Sequence, residues 1–523
     1  RPPPKSMAMA MAMVMVPADG TQPTGAQLRN LTAMLFNSAE FLLFLPLVFA
    51  AYWAINGRAP LHAQNLLLLA ASYLFYGWWD ARFLGLIAFS TLVDYTVGLQ
   101  IAKANTREIP RDADPKARSR TAKWWLAISL VVNLGLLGYF KYANFFIESW
   151  VDAWAAAGVT MHASTLQIIL PVGISFYTFQ TLSYSIDIYR RQLEPTKDLI
   201  AFGAFVSFFP QLVAGPIERA SKLLPQIERR RQFDYDTAVS GLRLILWGMF
   251  KKVVVADTCA LYVNDIFGNV SAHDGPELAM GAVLFAFQIY GDFAGYSDIA
   301  IGTARLFGIR LMTNFRAPFF SKDMAEFRRR WHISLYTWFR DYIYIPLGGS
   351  KVKTPRRIVH VLIIFLVSGL WHGADWSFIA WSLINALLIL PLVVWPPRRA
   401  KRKPEDQPLL PSIPDVFRMA FTFLLFCIPL VYFRAHNVHA GHQFLMRSLE
   451  NWSIGSLRDV LAIKASVWIA LLLLGDWVLT TGTGKRWALA PARRWLRWSG
   501  YATVVWWIFM KFDNPADFIY FQF

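Results

Sequence analysis

Apolar runs of helical length recur from one end of this chain to the other, and few folds can accommodate them. They lie at residues 41–55, 65–79, 83–101, 124–147, 166–188, 199–214, 238–256, 278–301, 358–371, 376–394, 417–433, 465–479 and 501–512. None alternates as a membrane-barrel strand must, with one face to lipid and one to the lumen. Charged residues make up 16% of the 523 positions, where a soluble chain carries about 25%. The pattern predicts an all-α polytopic membrane protein. Several runs fall short of the ~20 residues that cross a bilayer. Such elements are expected to be re-entrant or tilted and to line a protein-enclosed cavity.

The formal net charge is +18. No nucleic-acid-binding module accompanies it, and multi-pass proteins gather Lys and Arg in cytoplasmic loops. The expected partner is therefore the lipid bilayer and not nucleic acid. Residues 103–123, 190–197, 222–231, 305–357, 398–403 and 485–497 are rich in Lys and Arg, whereas 148–165 and 257–277 contain neither. The first set is assigned to the cytoplasmic side and the second to the external side. Basic loops flank 199–214 on one side, so that segment should dip in and return. The same holds for 358–394. Fourteen helical residues from 358 to 371 climb only ~21 Å, less than a ~30 Å hydrocarbon layer, so His372 should lie within the membrane or at the floor of an external depression.

Residues 1–33 differ from the rest, with Pro-Pro-Pro, a Met-Ala alternation and a polar stretch. They are read as a non-conforming extension, with Met34 a natural beginning and 34–523 a single membrane domain. No GxSxG elbow, Walker A loop, GxGxxG fingerprint or HExxH helix occurs. Cys259 and Cys427 form neither a disulfide framework nor a CxxC motif. His436, His439 and His442 lack companion carboxylates or cysteines and are read as part of a polar loop, so no metal site is expected.

Two Trp-His pairs remain: Arg-Arg-Arg-Trp-His-Ile-Ser-Leu at 328–335 and Ser-Gly-Leu-Trp-His-Gly at 368–373. His332 sits in an arginine-rich aromatic stretch suited to an interfacial helix. His372 ends a nearly wholly apolar run, where an idle imidazole is costly. A neutral imidazole can remove a proton from a hydroxyl near neutral pH. Asp292, Tyr296, Ser297 and Asp298 interrupt another apolar run, beside glycines that allow close approach of helices or a ligand. Interhelical hydrogen bonding is the simpler role for them. Pro216 stops the helix at 199–214, leaving Glu218 and Arg219 at the boundary as an ion pair.

These stretches together resemble the membrane-bound O-acyltransferase family, in its bacterial branch of alginate O-acetyltransferase and teichoic-acid D-alanylation proteins. The resemblance runs through Met-Leu-Phe-Asn-Ser-Ala-Glu-Phe-Leu-Leu-Phe-Leu-Pro (34–46), Pro-Val-Gly-Ile-Ser-Phe-Tyr-Thr-Phe-Gln (171–180) and Phe-Phe-Pro-Gln-Leu-Val-Ala-Gly-Pro-Ile (208–217). It continues in Tyr-Gly-Asp-Phe-Ala-Gly-Tyr-Ser-Asp (290–298), both Trp-His pairs, Arg-Asp-Tyr-Ile-Tyr-Ile-Pro-Leu-Gly-Gly (340–349) and Phe-Ile-Tyr-Phe-Gln-Phe (518–523). It implies a ring of about 11–13 transmembrane or re-entrant helices around a central tunnel, with horizontal cytoplasmic helices. It also implies that His372 is the catalytic histidine and His332 its supporting partner. Trp371, Tyr296, Ser297, Asp298 and Arg340 are the accompanying candidates for substrate or donor binding. The reaction so implied is O-acyl transfer from acetyl-CoA, a substrate and not a bound cofactor, to a polysaccharide such as alginate. Periplasmic SGNH-type subunits would assist, and the location would be a bacterial inner membrane. D-alanyl transfer is the enzymatic alternative, an acyl-enzyme through Ser334 or Ser368 a mechanistic one, and a non-catalytic transporter the alternative from another class.

Overall fold

Hydrocarbon offers backbone amides no partner, so apolar runs satisfy their own hydrogen bonds as helices. The computed structural model describes residues 34–395, 410–453, 463–480, 494–512 and 518–519, apart from 111–113, 115, 116, 162, 164 and 167. The extension at 1–33 and the basic stretch at 398–403 lie outside them, as does most of 485–497. No strand occurs among the described residues.

The first helices are α1 (Ala39–Ile55), α2 (Leu61–Asp80), α3 (Arg82–Glu108), α4 (Arg120–Leu137) and α5 (Ala143–Ala156). A π-helical segment, Gly138–Tyr142, joins the last two. Next come α6 (Ile174–Tyr189), α7 (Leu199–Ser207), α8 (Phe209–Leu212), α9 (Ala220–Ile227), α10 (Tyr235–Met249), α11 (Asp257–Gly268) and α12 (Gly275–Leu306). Two short helices, α13 (Met324–Arg330) and α14 (Ile333–Phe339), precede the hairpin of α15 (Thr354–His372) and α16 (Trp376–Val394). The chain continues through α17 (Ile413–Arg434), α18 (Val438–Arg447), α19 (Lys464–Thr480) and α20 (Arg494–Lys511). Among the described residues, six helices are long and apolar enough to cross a membrane: residues 82–108, 120–156, 275–306, 354–372, 376–394 and 413–434. The chain is a multi-pass membrane protein.

Several of the Lys- and Arg-rich segments meet one another. On the basic side Arg118 donates to the Arg190 carbonyl (2.8 Å), Arg190 to that of Asp341 (3.1 Å), and Gln226 to that of Arg310 (3.0 Å). On the other side Arg434 reaches Asn264 and Arg447 the Ser271 carbonyl, both at 3.1 Å. The two ends of the segment at 199–214 lie near each other, since Arg190 before it and Arg219 after it both reach Asp341. Asp198, the N-cap of α7, meets His62 at the start of α2, and Arg219 pairs with Asp341. Both α7 and α8 are buried almost throughout, as irregular backbone at such a position requires.

Four expectations need correction. Arg219 pairs with Asp341 and not with Glu218, whose carboxylate accepts from the Met312 N–H. The run at 166–188 is helical only from Ile174, because Pro171 and the left-handed Gly173 (φ +76°) interrupt it. Asn144 holds its irregular start by donating to the Leu166 carbonyl and accepting from its N–H, both at 2.9 Å. The helix ending at His372 begins at Thr354 with Pro355 in its first turn. Its 19 residues climb about 28 Å, not ~21 Å. Finally, His439 and His442 lie on α18, which Asn437 caps, and not in a loop.

The core post is α12, whose 32 residues extend about 48 Å. Of its apolar window, 83% is buried, against 17% for residues 120–156, which marks α12 as the helix the others surround. It crosses α10 at glycines spaced by seven on each helix. A Cβ on Gly241 would lie 2.6 Å from the Gly302 carbonyl oxygen, and one on Gly248 2.6 Å from that of Gly295. Beyond the seam, a π-helical segment (Phe250–Ala256) turns two lysines into the core. Lys251 pairs with Asp298 (3.0 Å) and Asp476 (3.2 Å), and Lys252 with Asp257 (2.8 Å) and Asp292 (2.9 Å). Removing one partner of a buried ion pair strands the other charge at a cost of about 3–5 kcal/mol. Lys252→Met is expected to lose about that much stability, read as a lowered unfolding temperature of the detergent-solubilised protein; an unchanged temperature would refute the role given to this network.

Candidate active site

His372 is the last residue of α15, and Gly373 turns the chain at once toward α16. A Cβ on Gly373 would lie 2.0 Å from the Phe378 ring, so only glycine fits this corner. The end of α15 leaves carbonyls that no helical N–H can reach. Tyr142 donates its hydroxyl to the Leu370 carbonyl (2.6 Å), while Lys141 donates to those of Trp371 (2.6 Å) and His372 (3.0 Å). Both donors come from the π-helical segment Gly138–Tyr142. The His372 ring sits among Trp371 (4.9 Å between centroids), Trp381 (4.9 Å) and Phe433 (5.5 Å), and is 8% exposed.

His332 stands between α13 and α14 in the left-handed region (φ +46°), uncommon for a residue with a side chain. Asn314 fixes that turn. Its carbonyl accepts from the Ile333 N–H (2.9 Å), its side-chain oxygen accepts from the Ser334 hydroxyl (2.9 Å) and N–H (3.3 Å), and its amide donates to Ser297 (3.1 Å). Backbone strain of this kind persists only where surrounding contacts over-determine it. The ring is 4% exposed, packs on Phe293 at 4.7 Å, and keeps Nε2 buried without a hydrogen-bond partner among the described residues. The two imidazoles come together, 6.2 Å apart between centroids at 65°, with Trp371 5.8 Å from His332.

His372, Trp371 and Lys141 line a partly open cavity with Trp79, Val213 and residues 170–176. Its wall is the stretch that follows the Lys- and Arg-free loop at 148–165. An adjoining narrow pocket shares Trp79, Val172 and Val213 and is lined by Tyr296. The ring of Tyr296 packs between Phe36 (4.4 Å) and Phe518 (4.8 Å). Of the other candidates, Ser297 reaches the His332 turn through Asn314, and Asp298 is held by Lys251.

Arg340 lies apart, half-exposed on the basic face and hydrogen-bonded to Asp341 at 2.6 Å. Arg219 pairs with the same carboxylate, and the Arg190 and Arg219 guanidinium groups lie 5.1 and 5.5 Å from the Tyr342 ring centroid. Burial works to raise the Asp341 carboxyl, but the hydrogen bond from Arg340 and the charge of Arg219 outweigh it and hold it below the usual range. Aromatic rings link this cluster to the histidines: Tyr342 on Trp338 (4.9 Å), Trp338 stacked on Phe179 (4.0 Å), and Phe179 on Trp371 (5.7 Å).

Sequence reasoning missed Lys141 and Asn314. Lys141 carried a signal, as a cation inside the apolar run at 124–147. Asn314 carried none, because its role is set by a turn that only the fold creates. Asn314→Ala should leave Ser297 and Ser334 short of a buried partner and lower stability by about 1–3 kcal/mol. Thermal unfolding in detergent measures this, and a stability equal to that of the unsubstituted protein would show that the turn holds itself.

The sequence was compared with known proteins. The profile of the membrane-bound O-acyltransferase family matches residues 190–434. A probable alginate O-acetylase of Azotobacter vinelandii is 39% identical over 84% of this chain and 83% of its own length. A peptidoglycan O-acetyltransferase of Helicobacter pylori is 33% identical over 79% of each. A teichoic acid D-alanyltransferase of Streptococcus thermophilus is 30% identical over 41% of this chain and 55% of its own.

Proposed function

On the premise that this chain belongs to the membrane-bound O-acyltransferase family and is an O-acyltransferase, we propose that it moves acetyl groups from cytoplasmic acetyl-CoA to hydroxyls of an extracytoplasmic polysaccharide. Alginate is the acceptor favoured by the 39% identity to the alginate O-acetylase relative, against 33% for the peptidoglycan O-acetyltransferase; the D-alanyltransferase relative is matched over 41% of the chain. The setting is a bacterial inner membrane, and periplasmic SGNH-type subunits carry the acetyl group onward to the polymer.

The observation that carries this reading is the pair of buried imidazoles, 6.2 Å apart, with one ring on a cavity wall. In the proposed reaction His372 takes the acceptor proton as the hydroxyl oxygen attacks the thioester carbonyl. The tetrahedral adduct then expels the thiolate, which takes up the proton. Trp371, packed against both rings, fixes their relative position. His332 supports the site with its open Nε2, and Tyr296 lines the adjoining cavity as a wall of the acceptor space. Ser297 acts by holding the His332 turn, and Asp298 by holding α12 to Lys251. On the basic face Arg340 meets the phosphates of the donor.

Reconstituted protein given acetyl-labelled CoA and alginate, alone or with an SGNH-type subunit, should transfer label to polymer or subunit. His372→Ala should lower the rate by about 10²–10⁴-fold, the range for a general base. Near-normal transfer by a folded His372→Ala protein would sink the assignment.

Arg340→Ala should raise KM for acetyl-CoA several-fold while kcat changes little, and the effect should shrink as salt screens surface charge. A KM insensitive both to this substitution and to salt would remove Arg340 from the donor site.

A further inference from the structure

We propose that Lys141 is a second catalytic group of the acyl transfer, the cation that stabilises the oxyanion of the tetrahedral adduct. The inference rests on the acyl-transfer reading above and adds a residue to it.

Lys141 lies in the π-helical segment Gly138–Tyr142, inside a helix whose other residues from 124 to 147 are uncharged. An ammonium group at such a position is costly unless it is used. No carboxylate pairs with it among the described residues, in contrast to Lys251 and Lys252. Its contacts are the Trp371 and His372 carbonyls. A primary ammonium has three N–H donors, so one remains after these two bonds, on a side chain that shares a cavity wall with the His372 ring.

Helix capping alone does not call for a charge here. The adjacent residue shows the neutral solution, since the Tyr142 hydroxyl caps the Leu370 carbonyl at 2.6 Å without any ion being buried. The carbonyls that Lys141 holds instead fix its ammonium beside the proposed base before any substrate arrives. A preorganised donor of that kind favours negative charge that develops only in the transition state. π-bulges recur at functional sites, where one extra residue re-aims side chains. This one turns both Lys141 and Tyr142 onto the end of α15.

The step balances as follows. The acceptor O–H bond breaks, its proton passes to His372, and a new O–C bond forms to the thioester carbonyl carbon. The π electrons of the carbonyl move onto its oxygen, which accepts the free N–H of Lys141. Collapse restores the carbonyl and breaks the C–S bond, and the thiolate takes the proton from His372. Lys141 ends as it began, protonated.

The test compares Lys141→Gln, Lys141→Arg and Tyr142→Phe in the reconstituted full-length protein, with rates normalised to monodisperse material. Gln keeps two N–H donors for the carbonyls and removes the charge together with the third N–H. It is expected to lower kcat by about 10²–10³-fold with KM for donor and acceptor little changed. Arg, which keeps the charge, should recover at least about tenfold over Gln, and Tyr142→Phe should fall far less than Gln. Lys141→Gln within about threefold of the unsubstituted rate, or no worse than Tyr142→Phe, would overturn the proposal, as would Arg no better than Gln. His372→Ala in the same assay separates the two readings. If it is inactive while Lys141→Gln is normal, only the role of Lys141 fails; if it is active, the base assignment fails first.

Discussion

The last carbonyls of a helix need hydrogen-bond donors, and a hydrocarbon layer has none to offer. At the end of α15 that need falls on Leu370, Trp371 and His372, beside the cavity. A turn of polar loop would meet it at a protein surface. Here the donors come from a second helix, through one π-helical segment that delivers Tyr142 and Lys141 together. The position of the His372 ring is thus set by α4 and α5 as much as by α15. Trp371, Trp381 and Phe433 then leave it little freedom to turn.

The other imidazole depends on a different part of the frame. His332 packs on Phe293, and its strained turn hangs from Asn314, which Ser297 holds in turn. Phe293 and Ser297 both belong to α12, so the placement of His332 follows that helix. The glycine seam with α10 and the two buried lysines pin α12 in translation and rotation. Close backbone approach supplies packing, and four carboxylates on Lys251 and Lys252 supply direction. The same network docks the chain's last described residues, since the Ile519 N–H donates to Asp292 at 2.6 Å.

Much of this architecture was legible in the apolar runs, because in lipid a run of that length has one way to satisfy its backbone. Loop charge also grouped segments that meet in the fold, since those containing Arg118, Arg190, Gln226 and Arg310 hydrogen-bond to one another or to Asp341. What periodicity could not convey were the departures from it. The run at 166–188 is as apolar as its neighbours, yet it is helical only from Ile174 and its residues 170–176 line the cavity, because Pro171 and Gly173 outweigh composition. The helix of His372 begins four residues earlier than its apolar stretch, since Arg356 and Arg357 are tolerated in a first turn at the interface. π-helical segments leave no mark in hydropathy, and the left-handed turn at His332 arises from contacts with residues far away in the chain. Of the site, the sequence offered both histidines and Trp371; it also displayed Lys141, whose significance emerges only once its ammonium is seen at the end of α15.

The two histidines therefore differ in the freedom their surroundings leave them. His372 is anchored at a helix end and lines the cavity. His332 is held in a strained turn that follows the three arginines of α13, with one nitrogen open and the aromatic column from Tyr342 to Trp371 beside it. The basic cluster of Arg190, Arg219 and Arg340 lies at the far end of that column. A donor carrying phosphates would be retained at the basic end, and an uncharged hydroxyl would enter by the cavity. The separation matters for an acyl transferase in a membrane, because water admitted with either substrate would compete for the thioester. Trp371 packs against both imidazoles at a position where the aromatic column and the cavity share a wall.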